Sequence, residues 1–76
     1  MSLKVNEIRS ILEKYGFEET EHYVWEHPEL GEICKTNDWF TMIRGNGSVR
    51  VLAYGGEINN VDQFIKIFKR IFKIEN

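Results

Sequence analysis

The sequence predicts one α+β domain spanning residues 1–76, a two-layer sandwich in which both helices cover one face of an antiparallel meander sheet. Three observations predict it: apolar residues at helical spacing at both ends of the chain, β-type segments between them, and turn residues at the junctions. The predicted element order is α-β-β-β-β-α. Every strand connection is short enough for neighbouring strands to pair antiparallel.

The first helix is predicted from Leu3 to Tyr15. Apolar residues recur there at helical spacing, at Val5, Ile8, Ile11, Leu12 and Tyr15. Gly16 follows as a residue that ends helices, and Phe17 supplies the apolar contact that commonly comes after such a glycine. The remaining positions mix both charge signs, which is typical of a solvent-facing helix surface.

Four strands are predicted in the middle of the chain, because β-branched and aromatic residues alternate with turn residues. They are Tyr23–Trp25, Glu32–Lys35, Trp39–Arg44 and Ser48–Tyr54. The stretch Glu18–Glu21 is predicted to be a polar connection. The run Gly45-Asn46-Gly47 indicates a tight hairpin turn, which needs residues that tolerate positive φ. The pair Gly55-Gly56 is predicted to begin a plain β–α turn rather than an anion-binding loop.

The last helix, from Asn60 to Ile74, is the clearest element of the sequence. Its apolar stripe is formed by Val61, Phe64, Ile65, Phe68, Ile71 and Phe72. Asn59 or Asn60 can cap its start, and Gln63 stands where a capping box requires it. Its outer face is basic and consists of Lys66, Lys69, Arg70 and Lys73. This basic face is a candidate surface for phosphates or an acidic protein, against the simpler interpretation of a solvated helix face.

Composition limits the function classes. The chain has a net charge of −2, which argues against nonspecific nucleic-acid binding. Its single cysteine cannot form an intrachain disulfide or a cysteine zinc cluster. No signal-peptide pattern and no apolar run of membrane-spanning length are present, so we expect a cytoplasmic protein without a membrane partner.

Charge is distributed unevenly along the chain. Residues 1–35 contain eight acids and four bases, whereas residues 36–76 contain four acids and six bases. The acidic excess comes from a stretch without Lys or Arg that includes Glu18, Glu19, Glu21, Glu26, Glu29 and Glu32. We therefore expect an acidic rim on one part of the molecule and a basic helix face on another.

A second sheet face that remains apolar is the main functional signal. In a two-layer domain the outer sheet face is normally polar, yet the last two predicted strands carry large apolar residues on both faces. The expected contact surface consists of Trp39, Phe40, Met42, Leu52 and Tyr54. Exposed apolar patches mark contact sites, and a twofold homodimer is the commonest way to cover one. The alternative is that these aromatic residues wrap around the core at the strand ends.

No catalytic or metal-binding constellation is predicted. His22 and His27 are five residues apart, so on one extended strand their side chains would point to opposite faces. Cys34 does not complete a recognisable zinc spacing with them, and we expect it to be a small buried cysteine. The glutamates lack the paired placement across a cleft that glycosidase chemistry requires. No cofactor is expected.

The first part of the chain resembles the HicA family of small toxin ribonucleases. Members open with a helix that ends in Gly-Phe or Gly-Trp, continue with a strand that carries a catalytic histidine, and then have a His-Pro turn. The matching stretches here are Leu12–Phe17, His22–Trp25 and His27-Pro28. The resemblance implies RNA binding or cleavage with His22 in the catalytic place. Thr20-Glu21 stands where that family has Gly-Ser.

Two functional hypotheses follow. The first is a non-enzymatic protein-interaction or regulatory module that forms a homodimer through its sheet, with a different protein as the other candidate partner. The second is a HicA-like RNA-binding or RNA-cleaving domain that uses His22 and the basic residues.

Overall fold

The computed structural model describes residues 3–75, which form two helices and five strands. In chain order the elements are α1 (Val5–Lys14), β1 (Glu18–Glu21), β2 (Val24–His27), β3 (Gly31–Thr36), β4 (Trp39–Asn46), β5 (Val49–Glu57) and α2 (Val61–Phe72). The strands form one antiparallel sheet in the order β1-β2-β3-β4-β5. The predicted α+β class and antiparallel meander are confirmed. The strands that lack a neighbour on one side are β1 and β5.

The predicted strand count of four was wrong, because Glu18–Glu21 is a strand rather than a polar connection. It pairs with β2, with Glu18 opposite Glu26 and Glu19 opposite Trp25. Glutamate is depleted in strands, so local propensity does not favour β1. Its pairing depends on contacts made elsewhere in the molecule, including an ion pair between Glu19 and Arg9 of α1.

Helix α1 ends at the glycine that the sequence indicated. Gly16 has a φ of 90°, and the Phe17 N–H donates to the Leu12 carbonyl over 2.9 Å. The Gly16 N–H donates to the Glu13 carbonyl over 3.0 Å. These bonds satisfy carbonyl groups that the helix end leaves free, and they turn the chain so that Phe17 is buried in the core.

Helix α2 begins with the predicted Asn60 cap, but the reciprocal bond of the predicted capping box is made to the N–H of Asn59 rather than to that of Asn60. The Gln63 N–H donates to the Asn60 side-chain oxygen over 2.8 Å, and the Gln63 side chain accepts from the Asn59 N–H over 3.1 Å. The helix ends at Phe72, two residues before the predicted Ile74, because Lys73 adopts a left-handed conformation with φ 55°. The Ile74 N–H then bonds the Lys69 carbonyl over 2.9 Å and closes the helix end.

The core lies against one face of the sheet. Trp25, Ile33 and Met42 stand opposite one another on β2, β3 and β4, so the pairing register places them on the same face. All three are fully buried. The same core cluster contains side chains from both helices and the connecting segments, namely Leu3, Ile8, Leu12, Phe17, Phe40, Ile58, Phe64, Phe68 and Phe72. Among the two tryptophans, Trp25 is a core residue and Trp39 is exposed.

Strand β5 and its hairpin contain residues that the sequence analysis assigned to two turns. The turn between β4 and β5 falls at residues 47–48 and shares only Gly47, with φ 59°, with the predicted Gly-Asn-Gly turn, because Gly45 and Asn46 belong to β4. The predicted β–α turn at Gly55-Gly56 was wrong, because both glycines are paired with β4 inside β5. Strand β5 is therefore the longest in the sheet, with nine residues.

Candidate functional site

The sheet face opposite the core, here called the open face, changes character from one edge to the other. Paired residues share a face, so one row across the open face contains Glu26 of β2, Glu32 of β3, Ile43 of β4 and Leu52 of β5. The row is acidic towards β1 and apolar towards β5. None of its members is buried. Along this row the open face has an acidic half towards β1 and an apolar half towards β5, and Arg50 and Glu57 of β5 are charged residues at the two ends of the apolar half.

Exposed apolar residues gather on the β5 side. Among residues 3–75, the large apolar side chains with high exposure are Trp39 at 51%, Val49 at 74%, Val51 at 53% and Leu52 at 68%. These four residues are called the apolar rim. Three belong to β5, and Trp39 belongs to the neighbouring strand β4. Scattered exposed apolar residues are ordinary, but these four all lie on the edge strand β5 or on the strand paired with it.

A β-bulge in β5 distributes the apolar rim over both faces of the sheet. Met42 pairs with Tyr54 and Ile43 pairs with Leu52, so Ala53 has no partner in the register. The extra residue shifts the alternation of side chains by one position. Leu52 therefore lies on the open face with Trp39, whereas Val49 and Val51 lie on the same face as the core. The apolar rim wraps around the edge strand.

The structure divides the predicted contact residues into two groups. Phe40 and Met42 have no exposed surface and belong to the core, and Tyr54 is half-buried beside it. Their assignment to an exposed surface is corrected, because the register places all three on the core face. Trp39 and Leu52 are exposed as expected.

Val49 and Val51 were not among the predicted contact residues. The signal that could have found them is that β5 begins directly after a hairpin turn, beyond the part of the sheet that the core covers. A bulge cannot be read from side-chain alternation, because alternation assumes an unbroken register.

Electrostatic contacts organise the middle of the open face. Arg50 donates to the Glu32 carboxylate over 2.7 Å, and the Cys34 thiol donates to the same carboxylate over 3.2 Å. The Arg50 guanidinium, helped by the thiol, lowers the pKa of Glu32. Burial, followed by the bond to Glu32 and the nearby carboxylates of Glu26 and Glu21, raises the pKa of Cys34 to about 11. The thiol is thus held protonated at neutral pH, which makes it a poor nucleophile.

The prediction that Cys34 is a buried residue was wrong. Cys34 is half-buried, and it pairs with Val24 and Thr41 in a row of the open face. It lies on the open face because it directly follows Ile33, a core residue, and successive side chains in a strand point to opposite faces.

The basic face of α2 is separate from the apolar rim. Lys66, Arg70 and Lys73 are exposed, and Lys69 is half-buried. Arg44 extends this surface, since its guanidinium donates to the Ile71 carbonyl near the helix end over 3.4 Å. Arg50 does not extend it, because it lies on the open face and pairs with Glu32.

His22 lies in the turn between β1 and β2 with an aromatic and two cations nearby. Its exposed ring stacks on Tyr23, with 3.8 Å between the ring centroids. The Lys35 ammonium is 4.8 Å and the Arg9 guanidinium carbon 5.6 Å from the centroid of the same Tyr23 ring. The Tyr23 ring thus contacts the His22 imidazole and two cationic side chains. Much of the Arg9 charge is directed to Glu19, which accepts two hydrogen bonds from it.

His27 has a structural task instead. Its Nδ1 atom accepts hydrogen bonds from the backbone N–H groups of Glu29 and Leu30, both at 3.0 Å. A nitrogen that accepts these bonds carries no proton, so the ring proton sits on Nε2. The ring also packs on Phe17, with 5.1 Å between centroids. His27 thus holds the β2–β3 turn, and its basic lone pair is already occupied.

Across residues 3–75, no group of three or more His, Cys, Asp and Glu side chains is arranged to hold a metal ion. Within that same range, neither helix has the length and apolar character needed to cross a bilayer. Comparisons with protein-family models, with curated proteins and with solved structures give no match for this chain.

Proposed function

We propose that this protein is a non-enzymatic interaction module that forms a homodimer through the β5 side of its sheet. The observation that carries the proposal is the apolar rim, whose four members are the highly exposed large apolar residues of the described chain. Covering such a rim releases ordered water from apolar surface, at about 25 cal/mol per Å² buried.

The contrast with the rest of the surface supports this location. The β1 side of the open face carries glutamates, and the outer face of α2 carries lysines and arginine, so both are well solvated. Interface cores are depleted in charge and enriched in aromatic residues. The region around Trp39 and Leu52 meets that description better than the acidic half of the open face or the basic helix face.

The test is light scattering on a sizing column, from micromolar to millimolar concentrations. We expect the wild type to be a dimer and Leu52→Lys to raise the dimer dissociation constant at least tenfold, because a lysine at an interface centre must be desolvated. Thr20→Lys, an exposed strand residue on the opposite sheet edge, is the matched control and leaves dimerisation unchanged. A wild type that stays monomeric at millimolar concentration would refute the proposal.

A second candidate function is RNA binding or cleavage at His22. The observation that favours it is the stacking of exposed His22 on Tyr23 with Lys35 beside the same ring. An imidazole can transfer protons during phosphodiester cleavage, and neighbouring cations can hold the phosphate.

RNA cleavage by the purified chain, measured on a labelled oligonucleotide, tests this candidate. His22→Ala should abolish cleavage, and Lys35→Ala should weaken RNA retention at low salt. Neither retention nor cleavage by the wild type would remove it.

A further inference from the structure

We infer that the two copies of the proposed homodimer pair their β5 strands antiparallel, edge to edge, to form one continuous ten-stranded sheet. This inference rests on the proposed function and specifies its geometry. An edge strand presents a row of unpaired backbone N–H and C=O groups, and a second strand laid beside it satisfies them.

The distribution of the apolar rim favours an edge contact over a face contact. Leu52 and Trp39 lie on the open face, whereas Val49 and Val51 lie on the opposite face of the same edge. Two open faces stacked together would cover Leu52 and Trp39 but leave both valines in water. A partner strand beside β5 contacts side chains on both faces at once, because its own residues alternate between them.

The charged residues of β5 favour an antiparallel arrangement of the two strands in one particular register. Strand β5 carries Arg50 near its start and Glu57 at its end, and both lie on the open face. When the twofold axis passes between Ala53 and Tyr54, each Arg50 stands opposite Glu57 of the second copy. Opposite charges directly across two strands stabilise the pairing, whereas like charges oppose it.

The same register gives the exposed apolar residues complementary neighbours. Leu52 stands opposite Gly55 of the second copy, and the space above Gly55 is bordered by the Trp39 ring, 3.9 Å from where a Cβ would be. Leu52 of one copy can therefore pack on Trp39 of the other. These pairs match face for face because the bulge at Ala53 shifts the alternation between the two halves of β5.

On the core-side face, Val51 stands opposite Gly56 of the second copy in this register. Gly56 is covered by Tyr54, whose hydroxyl lies 3.0 Å from where a Cβ would be. Val51 of one copy therefore meets the Tyr54 side chain of the other. Gly55 leaves room for a large residue of the opposite strand, whereas at Gly56 the Tyr54 side chain already fills the space over the backbone.

The test is a pair of charge reversals, measured by analytical ultracentrifugation and native mass spectrometry. Arg50→Glu alone places two glutamates opposite each other at both ends of the interface, and Glu57→Arg alone places two arginines there. Each should weaken the dimer about tenfold, since like charges across strands are unfavourable. An equimolar mixture restores opposite charges at both ends, so a heterodimer of wild-type affinity should form.

The controls separate this geometry from effects on the fold. Arg50→Glu also removes the Glu32 ion pair, but the Arg50→Glu copy still lacks it in the mixture, so this loss cannot account for a return to wild-type affinity. Lys66→Glu on the outer face of α2 is a charge reversal away from the edge and should leave the dimer unchanged.

The outcomes are distinguishable. Edge-to-edge pairing is supported if both single variants dimerise more weakly than the wild type and the mixture forms a heterodimer of wild-type affinity. A wild-type dimer that neither single variant weakens, or a mixture no stronger than the single variants, overturns this arrangement and leaves the proposed homodimer standing. A monomeric wild type overturns both, and would mean that the bulge and Arg50 protect the β5 edge from pairing.

Discussion

The two edges of the sheet are built in opposite ways. Strand β1 has four residues and β5 has nine, and each is joined to its neighbour by a two-residue turn. In the β1–β2 turn the residue with positive φ is Tyr23, at 63°, whereas in the β4–β5 turn it is Gly47, at 59°. A left-handed conformation costs an aromatic residue free energy that glycine does not lose.

Different interactions order the two edges. The β1 turn is held by Glu19, whose carboxylate accepts the Tyr23 N–H over 3.0 Å and pairs with Arg9 of α1 over 2.7 Å. The β5 hairpin is formed by its own glycines and by pairing with β4. Strand β1 is therefore held by contacts from other elements, whereas β5 is specified by its own hairpin and has no neighbouring strand on its outer side among the described residues.

The largest expected effect on stability comes from substituting a glycine in the β4–β5 hairpin. Gly45 has a φ of 109°, and a Cβ added there would lie 2.0 Å from the Val49 carbonyl oxygen. Gly45→Ala should therefore destabilise the fold by roughly 3 kcal/mol, because both strain and a backbone clash must be relieved. Urea unfolding followed by circular dichroism measures this difference.

Gly47→Ala is the matched substitution two residues away in the same hairpin. It has positive φ but nothing within 4 Å of the added Cβ, so the cost should be only ~1 kcal/mol. Equal losses for the two variants would show that the close approach of β4 and β5 at Gly45 does not determine the hairpin.

A second prediction uses Cys34, which lies on β3 between the two edges. With its pKa raised to about 11 from an ordinary 9.0, the thiol should react with iodoacetamide at pH 8 on the order of a hundredfold more slowly than an unperturbed cysteine. Glu32→Gln should accelerate the reaction, because it removes the negative charge that opposes thiolate formation. Mass spectrometry of the alkylated chain gives the rate.

The dependence of this rate on protein concentration distinguishes two dimer geometries. Edge pairing leaves the open face exposed, so alkylation of Cys34 should proceed at the same rate in monomer and dimer. Stacked open faces would cover Cys34 and slow the reaction as the dimer forms. The chain unfolded in urea provides the reference rate for an accessible thiol.

The contrast between the edges also explains how far the sequence predicts the fold. Both helices, their caps and the β4–β5 hairpin follow from local patterns, such as Asn60 with Gln63 and the glycine at position 47. Strand β1 does not, because four residues that include three glutamates carry no strand signal. Besides its hairpin pairing with β2, the contact that orders it comes from Arg9 of α1, which lies ten residues before Glu19 in a different element.

The candidate site was predictable only in part, for the same reason. Trp39 and Leu52 could be assigned to an exposed face, but Phe40, Met42 and Tyr54 belong to the core face. Alternation in β4 separates Trp39 from Phe40 without indicating which of the two faces the helices. Packing across the whole sheet determines which face is buried. The same packing determines the position of the bulge at Ala53.

The smallest expected effect concerns the acid sensitivity of the β1 edge. The Arg9 guanidinium, helped by the Tyr23 N–H, lowers the pKa of Glu19, so its contribution to stability is complete above the unfolded-state value of about 4.3. That contribution is lost as the pH falls through the lowered folded-state pKa. Glu19→Gln should therefore lower the thermal midpoint by a few degrees at pH 7, and the gap to wild type should close towards pH 2.

Glu18→Gln, which removes a carboxylate from the other face of β1, is the matched control and should show no comparable gap at pH 7. Glu18 has neither the Arg9 pair nor the bond to the Tyr23 turn, so its loss leaves both contacts in place. A Glu19→Gln deficit that persists unchanged at pH 2 would show that packing, rather than the charge on Glu19, holds β1. Then the two sheet edges would differ in length and exposure but not in the forces that order them.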